Sequence, residues 1–89
     1  MTTPIRATVR LHPADNVVVA TADLSAGTEV VQEGITTRRA IPAGHKLATS
    51  AIAPGDPIRK YNQIIGFASA AINVGDHVHL LNVELHSFE

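Results

Sequence analysis

Residues 44–66 read GHKLATSAIAPGDPIRKYNQIIG. This stretch decides the fold class. Pro54 and Pro57 lack amide donors and fix φ, so no helix runs through the centre of the chain. Gly44 lies three residues from Ile41 and from Leu47, and Gly55 three residues from Ile52 and from Ile58. A glycine in that place supplies the positive φ of a tight turn, with a short extended apolar piece on each side. The same arrangement occurs at Leu24-Ser-Ala-Gly27-Thr-Glu-Val30 and at Ile72-Asn-Val-Gly75-Asp-His-Val78. The four glycines stand about 17, 11 and 20 residues apart, which is not a solenoid period. One turn type is reused in a β domain.

Upstream, Ile5 to Leu11 alternates apolar and polar residues, the period of a half-buried strand. His12-Pro13-Ala14-Asp15-Asn16 reads as a turn. Val17 to Thr21 reads as a second strand that pairs back as a hairpin, and its three consecutive valines predict burial on both faces. Gln32-Glu33-Gly34 is a polar loop, and Ile35 to Arg39 a further strand. Ala68 to Ala71 tolerates a helix but is too short to be stable as one. His77 to Val83 reads as the last strand, with His77, His79, Leu81 and Val83 on one face, and Glu84 to Glu89 as a loose tail. Short strands between Gly/Pro turns predict an all-β, strongly bent, clip-like domain.

The 89 residues suit one domain, 1–89 with its core at about 5–83, since domains run from about 50 to 250 residues. With two Phe, one Tyr and no Trp, the core must come from Val, Ile, Leu and Ala. Few aromatics and a net charge of −1 argue against nucleic acid as a partner. Without cysteine there is no disulfide and no thiolate metal site within the chain. No apolar run has the length of a signal h-region or of a membrane span of ~20 residues, so the expectation is a cytoplasmic chain with no membrane partner.

Three groups exceed what a core needs. His45–Lys46 follows a turn; a neutral His can act as a base or ligand and the Lys can hold a carboxylate, or the pair is simply surface. Arg59–Lys60–Tyr61 follows another turn. Alternation puts Arg59 and Tyr61 on one face and Lys60 on the other, which suits a carboxylate-bearing ligand or a charged edge strand guarded against aggregation. His77 and His79 lie two apart on the expected strand, roughly 7 Å from one another, a spacing that can supply two metal ligands. A third would have to come from His86, Asp76 or another chain, and Leu81 and Val83 on the same face read as core. No nucleophile elbow, P-loop or GxGxxG is present. The residues suit part of a site shared with a partner better than a complete enzyme.

Together, Gly44-His45-Lys46, Ile58-Arg59-Lys60-Tyr61, Ile65-Gly66 and Gly75-Asp76-His77-Val78-His79 followed by Asn82 resemble the SAF domain of the altronate/galactarate dehydratase family. Asp15-Asn16-Val17 and Leu24…Gly27-Thr28 resemble its beginning, so the likeness runs from about residue 6 to 83. The resemblance implies a β-clip fold and a hydro-lyase that removes water from altronate, galactarate or a related hydroxy acid; sulfolactate lyases belong to the same group. It implies iron(II) (Fe2+), bound mainly by a large catalytic subunit, with this chain as the small subunit. His45 would be the catalytic contribution. Lys46, Arg59, Lys60, Tyr61 and Asn82 would contact the substrate, and His77 and His79 would line the interface or assist a metal. The rival expectation is a non-catalytic SAF module that binds a carbohydrate or a protein. Open strand edges also allow a homodimer. The sequence departs from the family in carrying Tyr61-Asn62 for the usual Tyr-Gly, and Leu81 where a third histidine is often found.

Overall fold

The computed structural model describes residues 7–79 and the backbone of 83–84. Its strands are β1 (Thr8–Val9), β2 (Val17–Ala20), β3 (Glu29–Val30), β4 (Ile35–Thr36), β5 (Lys46–Ala48), β6 (Pro57–Lys60), β7 (Gln63–Ala68), β8 (His77–Val78) and β9 (Val83–Glu84). There is no helix among the described residues. The strands form three antiparallel sheets, ordered β1-β2-β5-β8, β3-β4 and β6-β7-β9. This is the all-β architecture that the Gly/Pro punctuation predicts.

The centre is the pairing of β2 with β5, in the register Val17↔Ala48, Val18↔Leu47 and Val19↔Lys46. Successive strand residues point to opposite faces, and here both faces are buried. Val18, Ala20 and Leu47 join Leu24, Val30, Ile35 and Ile41 in one apolar cluster. Val17 and Ala48 join Ile52, Ile58, Ala68, Ile72 and Val78 in a second. The β2–β5 ribbon is therefore the wall between two small cores, as the run of valines requires. Fully burying a Val, Leu or Ile side chain is worth about 1.5–3 kcal/mol. Each cluster thus contributes substantially, though neither is large.

The two cores belong to two copies of one backbone plan. In the first, Leu24 and Ile41 exchange hydrogen bonds, each amide donating to the other's carbonyl at 2.8 Å; in the second, Ile52 and Ile72 do the same at 2.8 Å. Gly27 N–H donates to Thr37 O as Gly55 N–H donates to Ala68 O, and Gly44 N–H to Ala20 O as Gly75 N–H to Ala48 O, all at 2.8 Å. The four glycine turns are thus two equivalent pairs. The hairpins they frame differ. β3–β4 closes through Val31–Gly34, whereas the longer β6–β7 closes through Tyr61–Asn62, with a bulge between Ile58 and Arg59.

Several expected boundaries shift. The β1–β2 hairpin forms, but only Thr8–Val9 pairs with β2, and Ile5 and Arg6 lie outside the described residues. The strand expected over Ile35–Arg39 stops at Thr36, because Thr37 turns back to receive the Gly27 amide. The strand expected over His77–Val83 is not continuous: β8 ends at Val78, and Val83–Glu84 pairs with β7 in another sheet. Asn82, His86 and the tail beyond Glu84 lie outside the described residues.

The copies interlock at Gly75. A Cβ there would run into the Thr36 carbonyl oxygen of the first copy, and the Arg38 amide donates to Gly75 O at 3.0 Å. Gly27 has φ +83 but open space around its Cα. Left-handed backbone alone costs an L-residue roughly 1–2 kcal/mol. Gly27→Ala should lower the melting temperature by about 4–16 °C at the ~4–8 °C per kcal/mol expected for a domain of this size. Gly75→Ala, which adds a backbone clash, should lower it by more than twice the Gly27→Ala effect. Equal shifts in thermal unfolding would show that the close approach is not rigid.

Candidate functional site

His45 follows the Gly44 turn and His77 the corresponding Gly75 turn. The backbone of His45 is fixed on both sides, its carbonyl accepting from the Ala20 amide at 2.8 Å and its amide donating to Pro42 O at 3.0 Å. The equivalent position in the second copy is Asp76, whose carbonyl accepts from Ala48 at 3.0 Å. The β5–β8 register sets Leu47 opposite His77 and Lys46 opposite Val78. His45 and His77 are thus diagonal neighbours across the strand pair. Their rings meet, with His45 Nδ1 and His77 Nε2 2.9 Å apart and the centroids at 5.0 Å. One ring N–H donates to the other ring's lone pair. With Nδ1 engaged, Nε2 is the nitrogen His45 has left for solvent or a ligand. His79 packs on the other side of His77, with centroids at 4.7 Å.

The electrostatics of this cluster are one-sided. Burial lowers the pKa of His77, and His79, His45 and Lys46 lower it further. Burial also lowers that of half-buried Lys46, and the charge of Lys60 adds to the effect. No salt bridge among the described residues involves Lys46, Arg59 or Lys60. Asp76 turns instead towards Arg38 and Arg39, at 3.7 and 4.0 Å. Nearby charges of one sign, partly removed from water, favour a bound anion.

The Arg59–Lys60–Tyr61 segment is organised by two residues that the sequence offers as turn formers and as part of the family likeness, without a role in the site. Asp15 is buried, at 5% exposure. Its Oδ2 accepts from the Tyr61 amide at 2.8 Å and its Oδ1 from the Asn62 amide at 2.7 Å. Asn16 Oδ1 accepts from the Arg59 amide at 2.8 Å, and its Nδ2 donates to Pro57 O at 2.9 Å. Arg10 Nη1 donates to Asp15 O at 2.7 Å, while its Nε and Nη2 hold the Glu33 carboxylate at 3.1 and 2.7 Å. Burial pushes the Asp15 pKa up, but the Asn62 and Tyr61 amides, with His12 and Arg10, outweigh it and the net shift is downward. The hydrogen bond to Glu33 is the main reason that the Arg10 pKa is raised. Tyr61 and Asn62 both have positive φ, 58° and 57°. The expected replacement of a turn glycine by Asn62 therefore holds, but Tyr61 shares the conformation. This corrects the expectation that Arg59 and Tyr61 share a strand face: β6 ends at Lys60 and Tyr61 belongs to the turn. Tyr61 is 67% exposed.

The structure thus gathers His45, His77 and His79, with Lys46 beside them and Lys60 within electrostatic reach. No described contact joins Arg59 or Tyr61 to the histidines. Asn82 lies outside the described residues. Among the described residues no three of His, Cys, Asp or Glu are arranged to hold a metal ion. One nitrogen of each of His45 and His77 is engaged with the other ring. The donor set of the described residues alone does not fit a resident iron ion.

Comparison with known proteins places the chain in a family. The model of the altronate/galactarate dehydratase SAF domain matches residues 6–86. The altronate dehydratase of Escherichia coli is 45% identical over 76 residues, covering 83% of this chain and 15% of that protein. That of Bacillus subtilis is 35% identical over 78 residues, covering 85% of this chain and 16% of the relative. Subunit alpha of the (2R)-sulfolactate sulfo-lyase of Paracoccus pantotrophus is 42% identical over 48 residues, covering 54% of this chain and 72% of the relative. The chain spans only about 15% of the length of the two dehydratases it matches. The chain belongs to the altronate/galactarate dehydratase SAF domain family.

Proposed function

We propose that this chain is the SAF component of a sugar-acid or hydroxy-acid dehydratase and lends one wall to an active site completed by a large catalytic subunit. The observation that carries the reading is His45: an exposed imidazole whose Nδ1 is held at 2.9 Å by His77, beside lysines that meet no carboxylate among the described residues. The names of the relatives support the chemistry, since two are altronate dehydratases and one a galactarate dehydratase. That the sulfo-lyase relatives are named as alpha subunits supports a second chain.

Dehydration of a hydroxy acid breaks a C–H bond beside the carboxylate and a C–O bond on the next carbon, forming C=C and releasing water. The charge that develops is an enediolate spread over the carboxylate oxygens, and cations aimed at those oxygens lower the barrier. Lys46 and Lys60 take that role, with Arg59, Tyr61 and Asn82 as further substrate contacts. His45 Nε2 accepts the carbon-bound proton. The hydrogen bond to His77 fixes the ring and shares the charge that arrives. The leaving hydroxide takes its proton from the partner's side. The iron implied by the family resemblance also belongs to that side, and none of these steps passes through it.

The chain should co-purify with a larger dehydratase chain from its native host. The pair should dehydrate at least one member of a panel of sugar acids. In that pair His45→Ala should lower kcat by about 10²–10⁴-fold, the usual contribution of a proton-transfer group. Unchanged turnover would remove His45 from the chemistry, and ligand binding without turnover by the native pair would identify the non-catalytic module instead.

The His77 ring should titrate below its ordinary value of 6.5. Because the unfolded chain then binds the proton more readily, this group's effect on stability is complete above the ordinary pKa. Stability falls as pH drops from there through the folded pKa. Imidazole proton shifts and unfolding curves between pH 7.5 and 4.5, ranges set by ~6.5 as the reference value, check both. In His45→Ala, with one neighbouring cation removed, the His77 midpoint should rise.

A further inference from the structure

The two-copy plan supplies an internal control for the β6–β7 hairpin. Ten positions separate Gly27 from its acceptor Thr37, and thirteen separate Gly55 from its acceptor Ala68. The shorter β3–β4 hairpin turns with Gly34 in the left-handed region, at φ 67°, its Glu33 and Gly34 amides donating to the Val30 and Val31 carbonyls, and Arg10 holds its tip through the Glu33 carboxylate. The longer hairpin turns on two non-glycine residues, Tyr61 and Asn62, both left-handed. Bulky residues avoid that region. A two-residue loop between paired Lys60 and Gln63 calls for that conformation at both positions, and one buried carboxylate, 46 and 47 residues away in sequence, braces it by accepting both amides. Tyr61 is 67% exposed, so the arrangement adds little to the core. Strain held in place by a buried charge, with an exposed aromatic as its product, is characteristic of functional sites.

We propose that Asp15 is a positioning residue: its carboxylate locks the Tyr61–Asn62 turn so that the Tyr61 ring is presented, already ordered, to the ligand of the shared site. Asn16 completes the lock by fixing both Pro57 O and the Arg59 amide, so adjacent side chains secure the approach to the tip and the tip itself. Arg10 anchors the pair to β1 through Asp15 O. The role in ligand binding rests on the reading given under the proposed function; the lock itself does not.

Two measurements test it. Tyr61 is the only tyrosine and there is no tryptophan, so intrinsic fluorescence anisotropy reports this ring alone. In the 89-residue chain, Asp15→Asn keeps one acceptor oxygen and loses the other. The Tyr61 and Asn62 amides should exchange at least about tenfold faster, and Tyr61 anisotropy should fall, while the Leu47 and Ile58 amides stay within about twofold. Tip amides as protected as in the native chain would overturn the proposal. Asp15→Ala, if it folds, should show the larger effect. Asn62→Gly added to Asp15→Asn, by relieving one strained position, should restore part of the protection. In the assembled enzyme, Asp15→Asn should raise KM about tenfold with kcat within about twofold. Because Asp15 acts through Tyr61, the Asp15→Asn/Tyr61→Ala pair should be no worse than Tyr61→Ala alone. Penalties that multiply would overturn it. A Tyr61→Ala enzyme with native KM would also overturn it, while leaving the dehydratase reading to be decided by His45→Ala.

Discussion

Everything in this domain depends on a ribbon of two short strands that buries apolar residues on both faces. β2 and β5 bury Val17 and Ala48 on one side, and Val18 and Leu47 on the other. A single sheet over a single core needs only alternation. A ribbon between two cores needs apolar residues at consecutive positions, and that is why Val17-Val18-Val19 and Leu47-Ala48 occur where they do. A one-residue slip of register would exchange the contents of the two cores and misalign both sets of glycine turns. The ribbon also fixes the site, because β8 pairs with the free edge of β5 and so brings His77 beside His45.

The histidine cluster combines equivalent places in the two copies of the plan. His45-Lys46 follows one glycine turn and Asp76-His77 the other. A shared fold has been given different side chains at matching positions. On one arm they are basic. On the other an acid turns outward to Arg38 and Arg39, leaving His77 to face the basic group. The outcome is a patch in which burial and like charge both oppose protonation of His77. Two rings joined at 2.9 Å do not readily both carry a charge. An arriving anion makes the extra proton easier to hold. Proton affinity and anion affinity are thus linked through the same few atoms.

Much of this was legible in the sequence. The four glycine turns, the absence of helix among the described residues, the β1–β2 hairpin and the two-sided burial of the valines all follow from local pattern, because each is decided within a few residues. The twofold relation was obscured because the second hairpin is longer, which breaks the period. The meeting of His45 and His77 was not legible, since it is set by strand pairing across 32 positions. The end of β8 at Val78 was missed because alternation in His77–Val83 is compatible with one strand or with two that join different sheets. Tyr61 was placed on a strand face because aromatic residues favour strands and avoid positive φ. What overrides that preference is the two-residue turn between Lys60 and Gln63, braced by Asp15, and no local pattern reveals which distant amides a buried carboxylate will accept. The one sequence signal was an ionisable residue two positions before a run of valines, a costly place for a charge without partners.

The two cores differ in how much of the chain each requires. Residues 18–47 contain every buried member of the first, whereas the second draws on Val17 and on residues as late as Val78. A ribosome delivers the chain from its N-terminus. The first half therefore holds all its own apolar partners before the second half has emerged. Until then the Val17–Ala48 side of the ribbon and the edge of β5 stand open, the kind of surface on which nascent chains associate wrongly. β8 closes that edge and carries His77. Completion of the fold and assembly of the histidine pair are the same event, so a chain cut short before Val78 has neither a sealed second core nor the pair.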